Sequence, residues 1–323
     1  MNNFLLVLVF AIVSAACSLP AAAQTYPVRP IRIVSGFPTG GATDIIARIL
    51  GQRLTERLGQ QIVVDARASA AGQLAATIVK NASGDGYTLL IVTSSHATGA
   101  AFGKLPYDAV RDFAAVSLLA SGPNVLVATT GFQPRTLDEL LKAARAKPGQ
   151  ITFGSGGNGS ITHLSGELLK QMAGIDLLHV PYKGAPAGFT DLISGQIQLL
   201  FSSIPGALPH VRSGRMKAIA VTALKERSPV LSEVPTFSES GVPGYDAPNW
   251  FGLLAPTSTP QAILAKLNSE ILLALKNPDV SNAFANQGVV PRGTSAPEFQ
   301  AFLKQEVEKW TRVVKSAGIR PEQ

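Results

Sequence analysis

One pattern occurs twice in this chain: a short apolar strand, a glycine-rich loop, then a helix. It restricts the fold more than any other feature. Ile31-Arg32-Ile33-Val34 reads as a strand, and Gly36-Phe37-Pro38-Thr39-Gly40-Gly41 as a tight loop. A helix follows, with Ile46, Leu50, Leu54 and Leu58 on one stripe, Ile45 and Ile49 widening it, and Gly59 as its stop. Ile62-Val63-Val64 is a second strand, Leu74 to Val79 a short helix, and Tyr87 to Val92 a continuous apolar strand of the buried, parallel type. The order βαβαβ specifies an open α/β sheet with right-handed crossovers.

The second half restates this order. Val125-Leu126-Val127 is a strand. A helix carries Leu137, Leu140, Leu141 and Ala144, and Ile151-Thr152-Phe153 leads into a loop from Gly154 to Gly159. A helix from Ser160 to Met172 follows, then a strand at Leu177 to Val180, a helix at Ala187 to Ser194, and strands at Ile197 to Phe201 and Lys217 to Val221. The tail holds a strand, Phe251 to Pro256, a helix striped by Ile263, Leu267, Ile271 and Leu275, and a last long helix with Phe299, Phe302 and Trp310. That helix needs a partner for its apolar face and is expected to pack on the first half. The chain then crosses between halves near Ser121-Gly122-Pro123 and near Thr222-Ala223. Residues 24–122 and 223–323 are expected to form lobe 1 and residues 123–222 lobe 2, with a hinge at the crossings.

The 323 residues suit two such lobes, and a 46% hydrophobic, 15% charged composition supplies their cores. The formal net charge of +7 is scattered rather than blocked, so no nucleic-acid partner is expected. Phe4 to Ala16 has the length of a signal-peptide core and is short for a membrane span, and Ala21-Ala22-Ala23 gives a cleavage site before Gln24. No Lys or Arg precedes that run. Residues 1–23 thus read as a signal peptide and the mature chain as periplasmic. The one cysteine, Cys17, lies inside this segment; lipoprotein anchoring there is the alternative, with Ser14 standing where an aliphatic residue is expected. Cleavage after Ala23 removes thiol chemistry and disulfides from the mature protein.

Both glycine-rich loops lie outside the carboxyl ends of strands, where open sheets bind ligands. Helix starts expose unpaired N–H groups with partial positive charge, and glycines allow close approach, so the pair suits one or two carboxylates. Thr43 or Asp44 is placed to cap the first helix, and Ser160 or Thr162 the second. Gly154 to Gly159 also matches G-x-G-x-x-G, but the acidic residue expected at the end of the next strand is displaced: Asp176 precedes the strand and Pro181 ends it. There is no G-x-S-x-G elbow and no P-loop. His96, His163, His179 and His210 are dispersed; His163 and Glu167 share a helix face without an evident third metal ligand. No cofactor and no metal are expected. Ser94-Ser95-His96 follows the third strand and is read either as cleft lining or as a polar turn. A rival reading is an enzyme acting on a carboxylate in the same cleft, with Asp44, Asp191 and the histidines as its acid–base candidates. Another is a sensor feeding a signalling kinase.

Several motifs carry a family resemblance over essentially the whole mature chain. These are Tyr26-Pro27-Val28-Arg29-Pro30-Ile31, Phe37 to Asp44, Asp85 to Leu90, Leu105-Pro106-Tyr107-Asp108, His179 to Gly184, Val234-Pro235-Thr236 and Trp250-Phe251-Gly252-Leu253. The chain closely resembles the Bug receptors, or TctC family, of tripartite tricarboxylate transporters. The resemblance implies a type II periplasmic binding protein with two open mixed sheets flanked by helices. It implies capture of a small carboxylate, largely by backbone N–H groups and ordered water, for membrane subunits of such a transporter. A monomer that is not an enzyme is expected. The ligand-binding residues expected from these readings are Pro38, Thr39, Gly40, Gly41, Ala42, Asp44, Ser94, His96, Ser155, Gly159, Ser160, His163, Tyr182 and Ser202. Relatives often have Pro where Thr39 stands, and Asp or Asn where Ser202-Ser203 follows the strand. The smaller Ser202 is expected to admit a bulkier or less hydrogen-bonding ligand. Citrate-like acids, dicarboxylates, amino acids, nicotinate-like rings and aromatic acids all remain open.

Overall fold

A computed structural model describes residues 26–103, 105–223, 225–316 and 318–319. The expected signal segment, its cleavage site and Cys17 lie outside the described residues. The first strand, β1 (Ile31–Ser35), runs parallel to β2 (Ile62–Ala66) on one side and to β3 (Thr88–Thr93) on the other. Helix α1 (Ala42–Leu58) joins β1 to β2 and buries Ile46, Leu50 and Leu54. It ends where Gly59 adopts φ 65°, a left-handed turn that donates its N–H to the Thr55 carbonyl. Helix α2 (Gln73–Lys80) leads to β3, and α3 (Ser95–Phe102) follows it. Strand β4 (Phe113–Gly122) is ten residues long, and a single proline, Pro123, separates it from β5 (Asn124–Thr129).

The second sheet takes β5, then β6 (Thr152–Ser155), β7 (Leu178–Pro181), β8 (Leu199–Ser203) and β9 (Met216–Val221). Its helices are α4 (Leu137–Ala146), α5 (Ile161–Ala173), α6 (Ala185–Ile193) and α7 (Ile204–Arg212). The chain returns to the first sheet with β10 (Asn249–Pro256), α8 (Gln261–Leu275), α9 (Pro278–Asn286), β11 (Val290–Pro291) and α10 (Ala296–Ser316).

The strand orders are β11-β4-β10-β3-β1-β2 and β7-β6-β8-β5-β9. In the first, β10 is antiparallel to β3 and β4; in the second, β5 is antiparallel to β8 and β9. The two orders superimpose as a pattern. Strand β6 lies between parallel β7 and β8 as β1 lies between parallel β2 and β3, and each set carries one antiparallel neighbour beyond. Both sheets are therefore mixed, and the architectural duplication read from the sequence holds at the level of pairing.

The last helix packs on the first sheet, as its apolar face requires: Phe299 and Phe302 meet Trp250 of β10 edge-to-face at centroid distances of 5.8 and 5.5 Å. Residues 229–247 lie against the second sheet instead of the first. Around a parallel bridge to Thr236, the Val221 N–H donates to the Pro235 carbonyl at 2.9 Å and the Phe237 N–H to the Val221 carbonyl at 3.1 Å, and the Phe237 ring stacks between Phe201 and Tyr245. Where the sheets meet, Asn249 donates to Ser203 Oγ at 2.8 Å, and Ser203 donates to Asn124 Oδ1 at 3.2 Å. Thr222 binds Asn124 through both backbone and side chain. This polar knot joins both crossings directly beneath the site.

Candidate functional site

A crevice opens where five strand-to-helix junctions converge, two from the first sheet and three from the second. The β1–α1 loop contributes Phe37, Pro38, Gly41, Ala42 and Thr43, and the β3–α3 junction Thr93 and Ser95. Facing them are Gly156, Ile161 and Thr162 around the start of α5, Ala185 and Pro186 at the start of α6, and Ser202, Ser203 and Gly206 around the start of α7. Among the described residues lining it, none is ionisable. The wall consists of hydroxyls, glycines and small apolar groups.

The helix starts differ in what they offer. Helix α1 begins after Gly41, which is extended (φ −76°) and brings no side-chain cap. The N–H groups of Ala42, Thr43 and Asp44 have no intrahelical acceptor by helix geometry and are left to an outside anion. The α5 start is already served: Ser160 Oγ accepts the His163 N–H at 3.2 Å, and Ser95 Oγ, from the other sheet, accepts the Ile161 N–H at 3.2 Å. Helices α6 and α7 carry Pro186 and Pro205 at their second positions, each removing one N–H. The α1 start is therefore the strongest seat for a carboxylate.

The two halves touch around the crevice. Thr98 Oγ1 donates to the Gly159 carbonyl at 2.7 Å. Pro38 packs on Gly184, whose φ is 113° and where a Cβ would stand 2.5 Å from Pro38 Cδ. Gly184 is thus required twice, for its backbone conformation and for this close approach.

Of the expected ligand-binding residues, Pro38, Gly41, Ala42 and Ser202 line the crevice. Thr39 and Gly40 are exposed at the loop tip. Asp44 is buried behind the loop: its carboxylate accepts the Gly40 N–H at 3.1 Å and pairs with Arg48 at 2.9 Å. It fixes the loop from behind. Ser94 ties β3 to β10, its hydroxyl accepting the Trp250 N–H at 3.0 Å. Ser155 is buried, with Oγ 2.7 Å from His179 Nε2. Gly159 packs under Phe102, and Ser160 caps α5. The Tyr182 hydroxyl donates to Asp191 at 2.8 Å, and burial, with Asp191 beside it, pushes its pKa up.

The two histidines on the list do not line the crevice. His96 points into the core of the first half: Nε2 sits 2.9 Å from the Ala109 carbonyl, and the ring stacks on Tyr107 and meets Phe113 edge-on. His163 accepts the Gly159 N–H at Nδ1 (3.2 Å) and stacks on His179 at 4.0 Å. Burial pushes His96 down to about 4; for His163, burial first and then His179 and Lys170 push it down to about 3. Both are neutral supports of the scaffold. The residues missed are Phe37, Thr93, Ser95, Gly156, Ile161, Ala185, Pro186, Ser203 and Gly206, along with Thr43 and Thr162, which the sequence suggested only as caps. Their common signal is position: each stands at or beside a strand-to-helix junction. Among the described residues no group of three or more His, Cys, Asp or Glu side chains is placed to hold a metal ion, and no helix is long and apolar enough to cross a membrane.

The family model described as "Tripartite tricarboxylate transporter family receptor" matches residues 46–319. The chain belongs to this receptor family. Protein BugT of Bordetella pertussis is 34% identical to the receptor over 323 residues, covering 99% of each chain. The structure of Rpa4515 of R. palustris with adipate superimposes with a TM-score of 0.88 at 35% identity, covering 92% of the receptor and all of that chain. MatC of Rhodopseudomonas palustris with bound malate gives 0.84 at 35% identity, covering 90% of the receptor and all of that chain. The receptor therefore has the α/β fold of periplasmic binding proteins.

Proposed function

We propose that this receptor captures a small organic carboxylate between two lobes, each built on one of the two sheets, and presents it to membrane subunits of a tripartite tricarboxylate transporter. The observation that carries this reading is the uncapped start of α1 opening into a crevice of hydroxyls and apolar walls with no ionisable lining. A carboxylate seated there receives several charge-assisted backbone hydrogen bonds without a cationic side chain. Adipate and malate bound to the two similar proteins are in keeping with it.

The receptor acts as a periplasmic monomer after removal of residues 1–23, and it binds without turnover. Asp44 is held by Arg48 and Asp191 by Tyr182, so the acids weighed for catalysis are engaged away from the crevice. The hinge lies where the chain passes between the sheets, at Pro123 and at Pro248, and closure brings Ser95 and Thr98 onto the start of α5.

A thermal-shift screen of residues 24–323 against a carboxylate panel, after unfolding and refolding to strip bound ligand, tests this. A ligand at a hundred times its Kd stabilises by about 2.7 kcal/mol, a rise of a few degrees in Tm for a chain of this size. One or more carboxylates must give that shift unchanged in composition. A flat response across the panel, or conversion of a bound acid to product, contradicts the proposal.

A further inference from the structure

A second, smaller cavity adjoins the crevice. Ala71, Gly72, Ala76, Leu90 and Val92 are among its walls. Its polar side chains, Thr93 and His96, each hold a backbone group: Thr93 Oγ1 accepts the Ser95 N–H at 3.1 Å, and His96 Nε2 stands 2.9 Å from the Ala109 carbonyl. Phe37 and Thr93 border both spaces. One edge of the Phe37 ring faces the small cavity, where a Cβ built on Gly72 would lie 3.7 Å from Cε2. The opposite edge faces the second half, where a Cβ on Gly156 would lie 3.7 Å from Cε1 and one on Gly184 3.8 Å from Cδ1. The ring is thus held between bare backbone of both halves. Its own backbone is fixed independently: the Phe37 N–H donates to Ser35 Oγ at 3.3 Å, and Ser35 Oγ lies 2.9 Å from Thr43 Oγ1 at the start of α1.

We infer that the Phe37 ring is the wall between these two spaces and sets how much apolar bulk a ligand can carry. The receptor takes short, slender carboxylates and turns away acids whose longer chains or aromatic substituents need the second cavity. The inference rests on the receptor reading above and names a selecting residue within it. A bulky acid gains room only if the ring leaves its place, and leaving forfeits its contacts with Gly72, Gly156 and Gly184. Removing the ring joins the two cavities into one recess with apolar walls beside the α1 start. Each ligand methylene buried there favours binding about fourfold. The carboxylate seat is backbone and stays as it is.

Isothermal titration of the refolded mature protein and its Phe37→Ala variant tests this with two pairs of acids: adipate against suberate, and succinate against 2-benzylsuccinate. Any loosening of closure acts on both acids of a pair and cancels in their ratio. The bulkier acid is expected to gain on the smaller by about 15-fold in the variant, the effect of two buried methylenes; an acid that binds the variant alone counts as such a gain. Phe37→Leu, which keeps an apolar side chain on the glycines, is expected to shift the ratios in the same direction by less. A gain below about fivefold in both pairs for Phe37→Ala, or loss of every acid by both variants while the wild type binds, overturns the inference and leaves the receptor reading standing. Failure of wild type and variants to bind any of the four acids also overturns it, and the carboxylate panel then decides whether the receptor reading falls with it.

Discussion

If the halves close on a ligand as proposed, Thr98 offers a way to weaken that closure without touching the ligand. It is fully buried, does not line the crevice, and donates from the first half to the Gly159 carbonyl of the second at 2.7 Å. Thr98→Val keeps the shape and removes the donor. In the closed form the Gly159 carbonyl then loses its partner; in the open form water replaces it. A net hydrogen bond contributes about 0.5–1.5 kcal/mol, and a buried carbonyl left unpaired costs about 1–3 kcal/mol. A closed form destabilised by about 1–2 kcal/mol raises the apparent Kd about 5- to 30-fold. Because the change acts on the open–closed equilibrium and not on ligand contacts, the factor must be the same for every ligand. Isothermal titration of wild type and variant with two unlike carboxylates measures it, while the Tm of the ligand-free protein changes little. Unchanged affinity, or a loss for one ligand only, would refute the reasoning.

Three further outcomes are expected. Gly184→Val places a side chain where a Cβ already meets Pro38 at 2.5 Å, and forces a residue with Cβ to φ 113°; binding should fall at least about 100-fold, with the far-UV spectrum of the ligand-free protein retained, as titration and circular dichroism will show. His96 and His163 are held neutral, with pKa values of about 4 and 3 against 6.5 when unfolded. The unfolded chain therefore binds more protons in this window. Stability is full above pH 6.5 and falls by several kcal/mol (about 1.4 kcal/mol per pKa unit) as pH drops toward 4, which urea melts at pH 7, 5.5 and 4.5 will register. Phe299→Ala empties a fully buried site against Trp250 and Gly252, and should cost about 3–5 kcal/mol in a urea melt.

The elements legible in the sequence were those with one buried face and a clear stop. The Ile46–Leu58 stripe ending at Gly59 gave α1 nearly to its ends, and short apolar runs gave β1, β3, β5 and β8. The sequence reading misses α3 because Ser95-His-Ala-Thr-Gly is buried all round and shows no stripe. It misses α7 because Pro205 and Pro209 suggest a turn, although the first sits near the start, where a helix tolerates proline. Strand β4 alternates little, since it is buried between β10 and β11 and covered by helices, so its run of Ala, Ser and Leu has no period. At the site, the loops were legible from their glycines. The direction of each side chain was not: His96 and His163 stand beside the right loops in sequence, yet a buried carbonyl and a ring stack turn both inward.

The account rests on one seat, the start of α1. Backbone amide chemical shifts of the refolded, isotope-labelled protein, titrated with adipate, malate and succinate, observe it directly. The account predicts that at least one of these acids moves the Ala42 and Thr43 amides strongly and saturably with one-to-one stoichiometry, together with Ser95 and Ile161 as the halves close. Saturable binding that leaves the Ala42 and Thr43 amides unmoved would contradict it.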